Sequence, residues 1–156
     1  MSTCEPRFEV LTDKEDILDL YQELENDQDL SAFGRYERTV AATVYNTLNR
    51  PNTYVIIAYG PNNEVWGITT GIVEGETAQN WWVIRAKLDY LRGLGTQLRV
   101  VEREFLVSQG VSVWKTTAET ENGRRLILRT GATPVGGSTD EYVNVIANTE
   151  IEVAAK

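Results

Sequence analysis

The feature that most restricts how this chain can fold is a strand that passes through a glycine-containing turn into a helix. Ala78 to Ala86 includes the apolar run Trp81 to Ile84, which is typical of a strand covered on both faces. The turn that follows contains Gly93 and Gly95 and opens the clearest helical pattern in the sequence. A strand joined to a helix in this way belongs in a sheet whose face the helix covers.

The helix after this turn has an apolar stripe in which hydrophobic residues recur every three or four positions. The stripe consists of Leu94, Leu98, Val101 and Phe105. Charged residues between these positions are expected to project outward into solvent, and they are Arg99, Glu102, Arg103 and Glu104. Gly110 is the expected C-terminal stop.

Two helices are predicted in succession after a short first strand. The first covers about residues 14–25, and both Thr12 and Asp13 offer N-caps for it. Thr12 together with Glu15 has the spacing of a capping box. After a polar break, Ser31 is expected to cap a second helix that ends near Asn49.

The remaining segments complete a mixed pattern of strands and helices. Residues 53–59 and 65–73 form a predicted hairpin, and later elements are predicted at 111–116, 121–129, 131–135 and 141–146. The order is β-α-α-β-β-β-α-β-α-β-β. We therefore expect one α+β domain over residues 1–156, with a mixed central sheet and helices on both faces. Its core should span about residues 7–147, with a polar tail at 148–156.

Composition limits the chemistry that such a domain can perform. Lys and Arg total 15 against 23 Asp and Glu, a net charge of −8, which argues against a nucleic-acid partner and favours a cationic one. The chain has no His, the commonest general base near neutral pH, and Cys4 is its single cysteine. A Ser-His-Asp or Cys-His nucleophile is therefore excluded, and no metal site is expected.

The hydropathy pattern indicates a protein without a membrane span. The longest uninterrupted apolar run, Tyr54 to Tyr59, is far shorter than the ~18 residues that a spanning helix needs. Residues 1–7 are polar and do not resemble a secretion signal. A reducing, cytoplasmic location is the expectation.

A glycine-containing turn between a strand and a helix is suited to binding an anion. Glycine lets the backbone approach a ligand closely, and the first-turn N–H groups of a helix have no partners within it. The residues expected to face phosphate groups are Arg92, Gly93, Leu94, Gly95 and Thr96. Two glycines also fit an ordinary tight turn, and the residues alone leave that alternative open.

The element order, together with the window Tyr90-Leu91-Arg92-Gly93-Leu94-Gly95, resembles the GNAT superfamily of acyl-CoA N-acyltransferases. Its motif has Arg or Gln, two unspecified residues, Gly, one more residue, and Gly or Ala; here the first position is Tyr90. The resemblance implies that turn amides bind the pyrophosphate of acetyl-CoA. It also implies that fourth-strand amides polarise the thioester carbonyl, and these belong to Ile84, Arg85 and Ala86.

The same resemblance implies candidates for proton transfer. Aligning Gly131-Ala132 with the superfamily's Gly-Phe pair places its usual acid, a Tyr, on Ile127, so that acid is missing. The superfamily's Asn at the start of the last helix falls near Thr120, and Asn122, two residues away, is a candidate cofactor contact. Glu119 is the first candidate for general base, with a solvated surface charge as its alternative. Tyr142 is a candidate proton donor, with packing as its alternative.

Two functions follow from this reading. The preferred one is an acetyl-CoA-dependent N-acetyltransferase that acts on a primary amine of a small molecule or protein. The other is a catalytically weak or inactive GNAT-like protein of a tailed bacteriophage, similar to internal virion proteins, which would form homo-oligomers or bind phage or host proteins in the virion or host cytoplasm. A different α+β ligand-binding domain is a third alternative. Divergence of the fourth and fifth strands would favour the enzyme, because pantetheine occupies that gap.

Overall fold

The computed structural model describes residues 5–88, 91, 93–118, 120–136 and 141–145. The strands are β1 Arg7–Leu11, β2 Thr53–Tyr59, β3 Val65–Glu74, β4 Thr77–Arg85, β5 Val113–Thr117, β6 Thr133–Pro134 and β7 Glu141–Val145. The helices are α1 Lys14–Asn26, α2 Glu37–Thr47, α3 Leu94–Ser108 and α4 Glu121–Arg129, with a 3₁₀ helix at Ser31–Tyr36 before α2. The predicted α+β class and element order are confirmed.

The strands form one seven-stranded sheet in the order β1-β2-β3-β4-β5-β7-β6. β4 and β5 are parallel, and the other neighbouring strands are antiparallel. Thr53 Oγ1 donates to the carbonyl of Thr47 at the end of α2, whereas the next residue, Tyr54, donates to Glu102 of α3. Because successive strand residues point to opposite faces, α2 and α3 cover opposite faces of the sheet.

The strands that are covered on both faces are β2 and most of β3, not β4. Every residue of β2 is buried, but Trp81, Trp82 and Val83 of β4 are only partly buried. The prediction that the apolar run in β4 is covered on both faces was therefore wrong. β2 lies between β1 and β3 under both helical layers, whereas β4 lies beside the place where the sheet opens.

The first helix starts at Lys14 as predicted and uses one of its two predicted caps, whereas the start of the second helix differs from the prediction. Asp13, not Thr12, caps α1, and its Oδ1 accepts from the N–H of Glu15 at 2.8 Å. The segment from Ser31 begins as a 3₁₀ helix, and Gly34 interrupts it with φ 62° and ψ −129°. Because such a positive φ is incompatible with a continuous right-handed helix, regular α2 begins only at Glu37.

In the described ranges, each helix is too short or too polar to cross a membrane.

Lys14 joins the beginning of α1 to the end of α2. Its Nζ donates to the carbonyl of Thr47 at 2.9 Å, to that of Arg50 at 2.6 Å and to Thr53 Oγ1 at 2.6 Å. Partial burial lowers the pKa of Lys14 below its usual value. The ammonium thus supplies donors to carbonyls at and just beyond a helix C-terminus, where positive charge is favourable.

Lys14→Met should lower the free energy of unfolding by about 2 kcal/mol, because hydrogen bonds from a charged donor contribute about 1.5–3 kcal/mol. Urea denaturation followed by circular dichroism measures the change. Lys115→Met, at an exposed position of β5, is the matched control and should change stability by less than about 0.5 kcal/mol. Equal stability of the two variants would contradict the role given to Lys14.

Candidate active site

β4 and β5 separate partway along their length. Their parallel pairing runs from Thr77 opposite Val113 to Asn80 opposite Thr116. β4 continues to Arg85, and within the described residues this second half pairs with β3 alone. A bulge at Trp81 marks the transition, since Asn80 lies opposite Gly71 and Trp82 opposite Thr70. The second half of β4 therefore has an open edge on the side of β5.

The direction of one amide shows which groups line this open edge. The N–H of Ala86 donates to the carbonyl of Trp66 on β3 at 2.7 Å. Because neighbouring amides of a strand point to opposite sides, the N–H of Ile84 also faces β3, and that of Arg85 faces the gap. Ile84 and Ala86 were expected to polarise a carbonyl with these groups, and the structure turns both away. The same alternation places the N–H of Val83 toward the gap, a group that the sequence analysis did not include.

The beginning of α3 presents backbone donors without a side-chain cap. Gly93 is the N-cap residue, with φ 87°, and because it has no side chain it makes no side-chain cap hydrogen bond to the helix. A Cβ on Gly93 would meet no atom within 4 Å, so the glycine is required by its backbone conformation and borders open space. The N–H groups of Leu94, Gly95 and Thr96 form the first turn.

The two glycines of the turn have different local roles. A Cβ on Gly95 would lie 3.2 Å from Leu126 of α4, so this glycine allows α4 to pack closely against the start of α3. Leu94 is 1% exposed, and its side chain belongs to the core. Leu94 can therefore contribute only its backbone to a ligand.

A cation from a distant part of the sequence also reaches this helix start. Arg129, exposed in the last turn of α4, donates from Nη2 to Thr96 Oγ1 at 3.3 Å. Nothing in the spacing of residues signals this contact, because it depends on how α4 packs against α3. Arg92, which was expected to face phosphate groups, lies outside the described residues, as does Tyr90, the first residue of the motif window.

The beginning of α4, unlike that of α3, is capped by its own chain. Thr120 Oγ1 accepts from the N–H of Gly123 at 3.0 Å, and Asn122 lies exposed beside it. Arg124 and Arg125 lie 2.7 Å and 3.5 Å from the carboxylate of Glu121. Of the two helix starts, that of α3 is therefore the better anion site.

Of the two proposed proton-transfer residues, Tyr142 lies within the described residues. Glu119 lies outside the described residues. Tyr142 is 3% exposed and belongs to a small buried cluster with Ala118, Ile127 and Ala132. This environment supports the packing alternative for Tyr142.

Three charged residues of α3 point inward, which the sequence analysis predicted wrongly. Arg99 is 1% exposed, Glu102 0% and Arg103 5%, whereas Glu104 is exposed as predicted. The sheet beneath α3 carries polar side chains at this point, so the inward face of the helix is polar as well. An apolar stripe alone therefore underestimates how much of α3 is buried.

Glu102 is surrounded by donors from three strands. It accepts from the hydroxyl of Tyr54, from Asn80 Nδ2 at 3.1 Å and 3.0 Å, and from Thr69 Oγ1 at 3.3 Å. Burial raises the pKa of Glu102 above its usual value, while the charge of Arg99 and these hydrogen bonds act in the opposite direction.

Arg99 makes the corresponding contacts on the other side. Its Nη1 donates to Thr116 Oγ1 at 3.0 Å, its Nη2 to Asn144 Oδ1 at 3.1 Å and its Nε to Thr130 Oγ1 at 3.3 Å. The guanidinium also stacks 3.7 Å from the ring centre of Trp114. Burial lowers the pKa of Arg99 to about 10, and the guanidinium is therefore still charged at neutral pH.

No group of three or more His, Cys, Asp and Glu side chains in the described ranges is arranged to hold a metal ion.

Stability relative to a Glu102→Gln variant should depend on pH. A carboxyl whose pKa is raised in the folded state contributes most below its unfolded value of 4.5, and that contribution is lost as pH rises. Thermal unfolding at about pH 4 and about pH 7 should therefore show the native chain losing stability relative to the variant as pH increases. If the stability of the native chain relative to Glu102→Gln stayed constant, or increased with pH, the result would contradict the raised pKa.

The fold was compared with known proteins. No protein-family profile matches the sequence, and no curated protein matches it. Solved structures do match. An aminoglycoside 6'-acetyltransferase type Ii is 15% identical with a TM-score of 0.69, and the match covers 92% of this chain and 99% of that one.

Two further matches contain a coenzyme. The GNAT family N-acetyltransferase YhbS from Escherichia coli, in complex with CoA, is 14% identical with a TM-score of 0.65, covering 97% of this chain and 87% of that one. AtaTR bound with AcCoA is 18% identical with a TM-score of 0.64, covering 97% and 99%. At this level of sequence identity, the similarity shows the fold of the backbone. This chain therefore has the GNAT fold.

Proposed function

We propose that this protein is an acetyl-CoA-dependent N-acetyltransferase that acts on a primary amine. The observation that carries the proposal is the gap between β4 and β5 beyond Asn80 and Thr116, with the start of α3, whose N-cap is Gly93, following the same strand. A narrow molecule with a diphosphate at one end and an acyl group at the other fits this combination of features. Structures that share the fold and contain CoA or AcCoA support the choice of ligand.

The diphosphate end is assigned to the first turn of α3. The N–H groups of Leu94, Gly95 and Thr96 supply donors, and the helix dipole adds about 0.3–1 kcal/mol per charge. Arg129 adds a guanidinium at the same turn through its contact with Thr96. Arg92 remains a proposed ligand on the grounds of its place in the sequence. Asn122 stays a proposed contact at the exposed start of α4.

The acyl end is assigned to the open edge of β4. The N–H groups of Val83 and Arg85 face the gap, where donors of this kind stabilise negative charge that develops on a carbonyl oxygen. In the reaction the amine nitrogen bonds to the acetyl carbon, the carbon–sulfur bond breaks, and the thiolate leaves to be protonated. A thiol with a pKa near ~8.5 leaves readily, so a dedicated acid contributes little.

The amine, in contrast, needs help to lose its proton. An alkylammonium has a pKa near ~10.4 and is mostly protonated at neutral pH, so a general base is worth about 10² to 10⁴ in rate. Glu119 is the proposed base because it follows β5, which ends at Thr117 beside the gap. Tyr142 is assigned to packing. The net charge of −8 favours a cationic acceptor, which an acidic surface attracts from solution.

The alternative of an inactive virion or host-interaction component finds no support in the comparisons. The matched structures named above are acetyltransferases or contain the acetyl donor. We therefore propose the enzymatic function alone.

The direct test is calorimetric titration of the full chain with acetyl-CoA. It is followed by detection of free thiol in the presence of a polyamine, an aminoglycoside and a lysine-containing peptide. Binding at micromolar concentration and thiol release that depends on one class of amine are expected. No binding at millimolar acetyl-CoA would overturn the proposal.

Gly93→Ala should weaken acetyl-CoA binding about tenfold or more. The added methyl group enters the open space at the start of α3, and the left-handed backbone is strained as well. Gly110→Ala is the matched control, because Gly110 flanks the other end of α3 with φ 81° and equally open surroundings. Both variants should lose similar stability on heating, but only Gly93→Ala should lose affinity. Equal affinities would remove the α3 start from the site.

Arg129→Gln should weaken acetyl-CoA binding about fivefold and reduce its dependence on salt, because one charge–phosphate attraction is lost. Arg125→Gln serves as the control, since Arg125 belongs to the same helix and faces Glu121. Calorimetry at low and high ionic strength separates the two variants. An identical salt dependence in native chain and Arg129→Gln would exclude Arg129 from the phosphate site.

A further inference from the structure

The last residue pair before β4 and β5 part is bound to α3 on both sides. Asn80, on β4, donates its side-chain amide to Glu102. Thr116, opposite it on β5, accepts from Arg99. A carboxylate and a guanidinium one helical turn apart therefore each hold one of the two strands at the point of divergence.

The carboxylate side fixes the bulge of β4 as well as the strand. Thr69 Oγ1 lies 2.7 Å from the carbonyl of Trp82, across the bulge, so its single proton is shared between this carbonyl and Glu102. Asn80 Nδ2 donates to the carbonyl of Thr70 at 3.2 Å. Tyr54 connects the same carboxylate to β2. Moving the bulge by one residue would turn Asn80 to the other face and leave a buried acceptor without its donor.

The guanidinium side holds β5 in the rest of the sheet. Arg99 donates to Asn144 of β7 and to Thr130 at the end of α4. The side-chain amide of Asn144 in turn donates from Nδ2 to the carbonyl of Thr130 at 3.2 Å. A guanidinium has donors in a fixed planar arrangement, so these three acceptors define its orientation. Thr116 is thus attached to a rigid group.

We propose that Arg99 and Glu102 are positioning residues that fix where β4 and β5 separate, and thereby set the width of the gap that receives the pantetheine arm of acetyl-CoA. This inference rests on the proposed function. Both side chains are buried and act through Asn80 and Thr116. Buried charges cost free energy unless every partner is in place, which gives the correct strand arrangement an advantage over shifted ones.

The experiment uses Thr116→Val, which removes the hydroxyl but keeps the side-chain volume, and Thr116→Ser, which restores it. Thr117→Val is the matched control, because Thr117 is the next residue of β5 and lies exposed on the other face. Hydrogen exchange of the β4 and β5 amides reports on the strand junction. Calorimetry compares acetyl-CoA with 3′-phosphoadenosine 5′-diphosphate, the nucleotide half that lacks the pantetheine arm.

In Thr116→Val, the β4 and β5 amides at the strand junction should exchange hydrogen about tenfold faster. This variant should bind acetyl-CoA about fivefold more weakly and bind the nucleotide half with unchanged affinity. Thr116→Ser and Thr117→Val should match the native chain in both measurements. Asn80→Leu is the second variant and should give the same separation from the β4 side. Its failure to fold would leave the Thr116 variants to decide.

The possible failures are distinguishable. A native chain that does not bind acetyl-CoA would overturn the proposed function and the positioning role with it. A native chain that binds, while Thr116→Val also binds normally, would overturn the positioning role alone. Equal losses of affinity for acetyl-CoA and the nucleotide half would show general loosening, and would overturn it too.

Discussion

The arrangement of this molecule depends on two opposite charges that α3 buries against the sheet. Arg99 and Glu102 are almost completely removed from water, and each is surrounded by hydrogen-bonding groups from elements far apart in sequence. Burying either charge alone would cost several kcal/mol. Strands, helix and bulge must therefore be placed correctly together, because a partial arrangement leaves one charge without its partners.

The sequence predicted the scaffold well where the physical signal was local. Hydrophobic periodicity located β2 and β3, the glycine turn located the start of α3, and Gly110 ended that helix. The inward-pointing charges of α3 were missed because periodicity assigns charged residues to solvent. Their burial depends on Asn80, Thr116 and Tyr54, whose meeting under α3 is a property of the whole sheet.

The candidate site was predicted in part, for the same reason. The strand–turn–helix pattern predicted the helix start at Gly93, whose first-turn N–H groups we propose as the diphosphate site, since that prediction needs only neighbouring residues. Arg129 and the amide of Val83 could not be predicted, because the first depends on helix packing and the second on a hydrogen bond to Trp66. The bulge at Trp81 lies where β4 stops pairing with β5, and no feature of the apolar run Trp81 to Ile84 predicts it.

Gly93 and Gly95 are required for different reasons. Gly93 has a positive φ that other residues rarely adopt, and Gly95 leaves room for the side chain of Leu126. The nearest obstacle to a methyl group at Gly95 is the flexible tip of Leu126, which can retreat by a few tenths of an ångström, whereas no neighbour can relieve the torsion at Gly93. In related sequences, alanine should therefore replace Gly95 more readily than Gly93. The constraint at Gly95 therefore comes from helix contact and is separate from any demand made by a ligand.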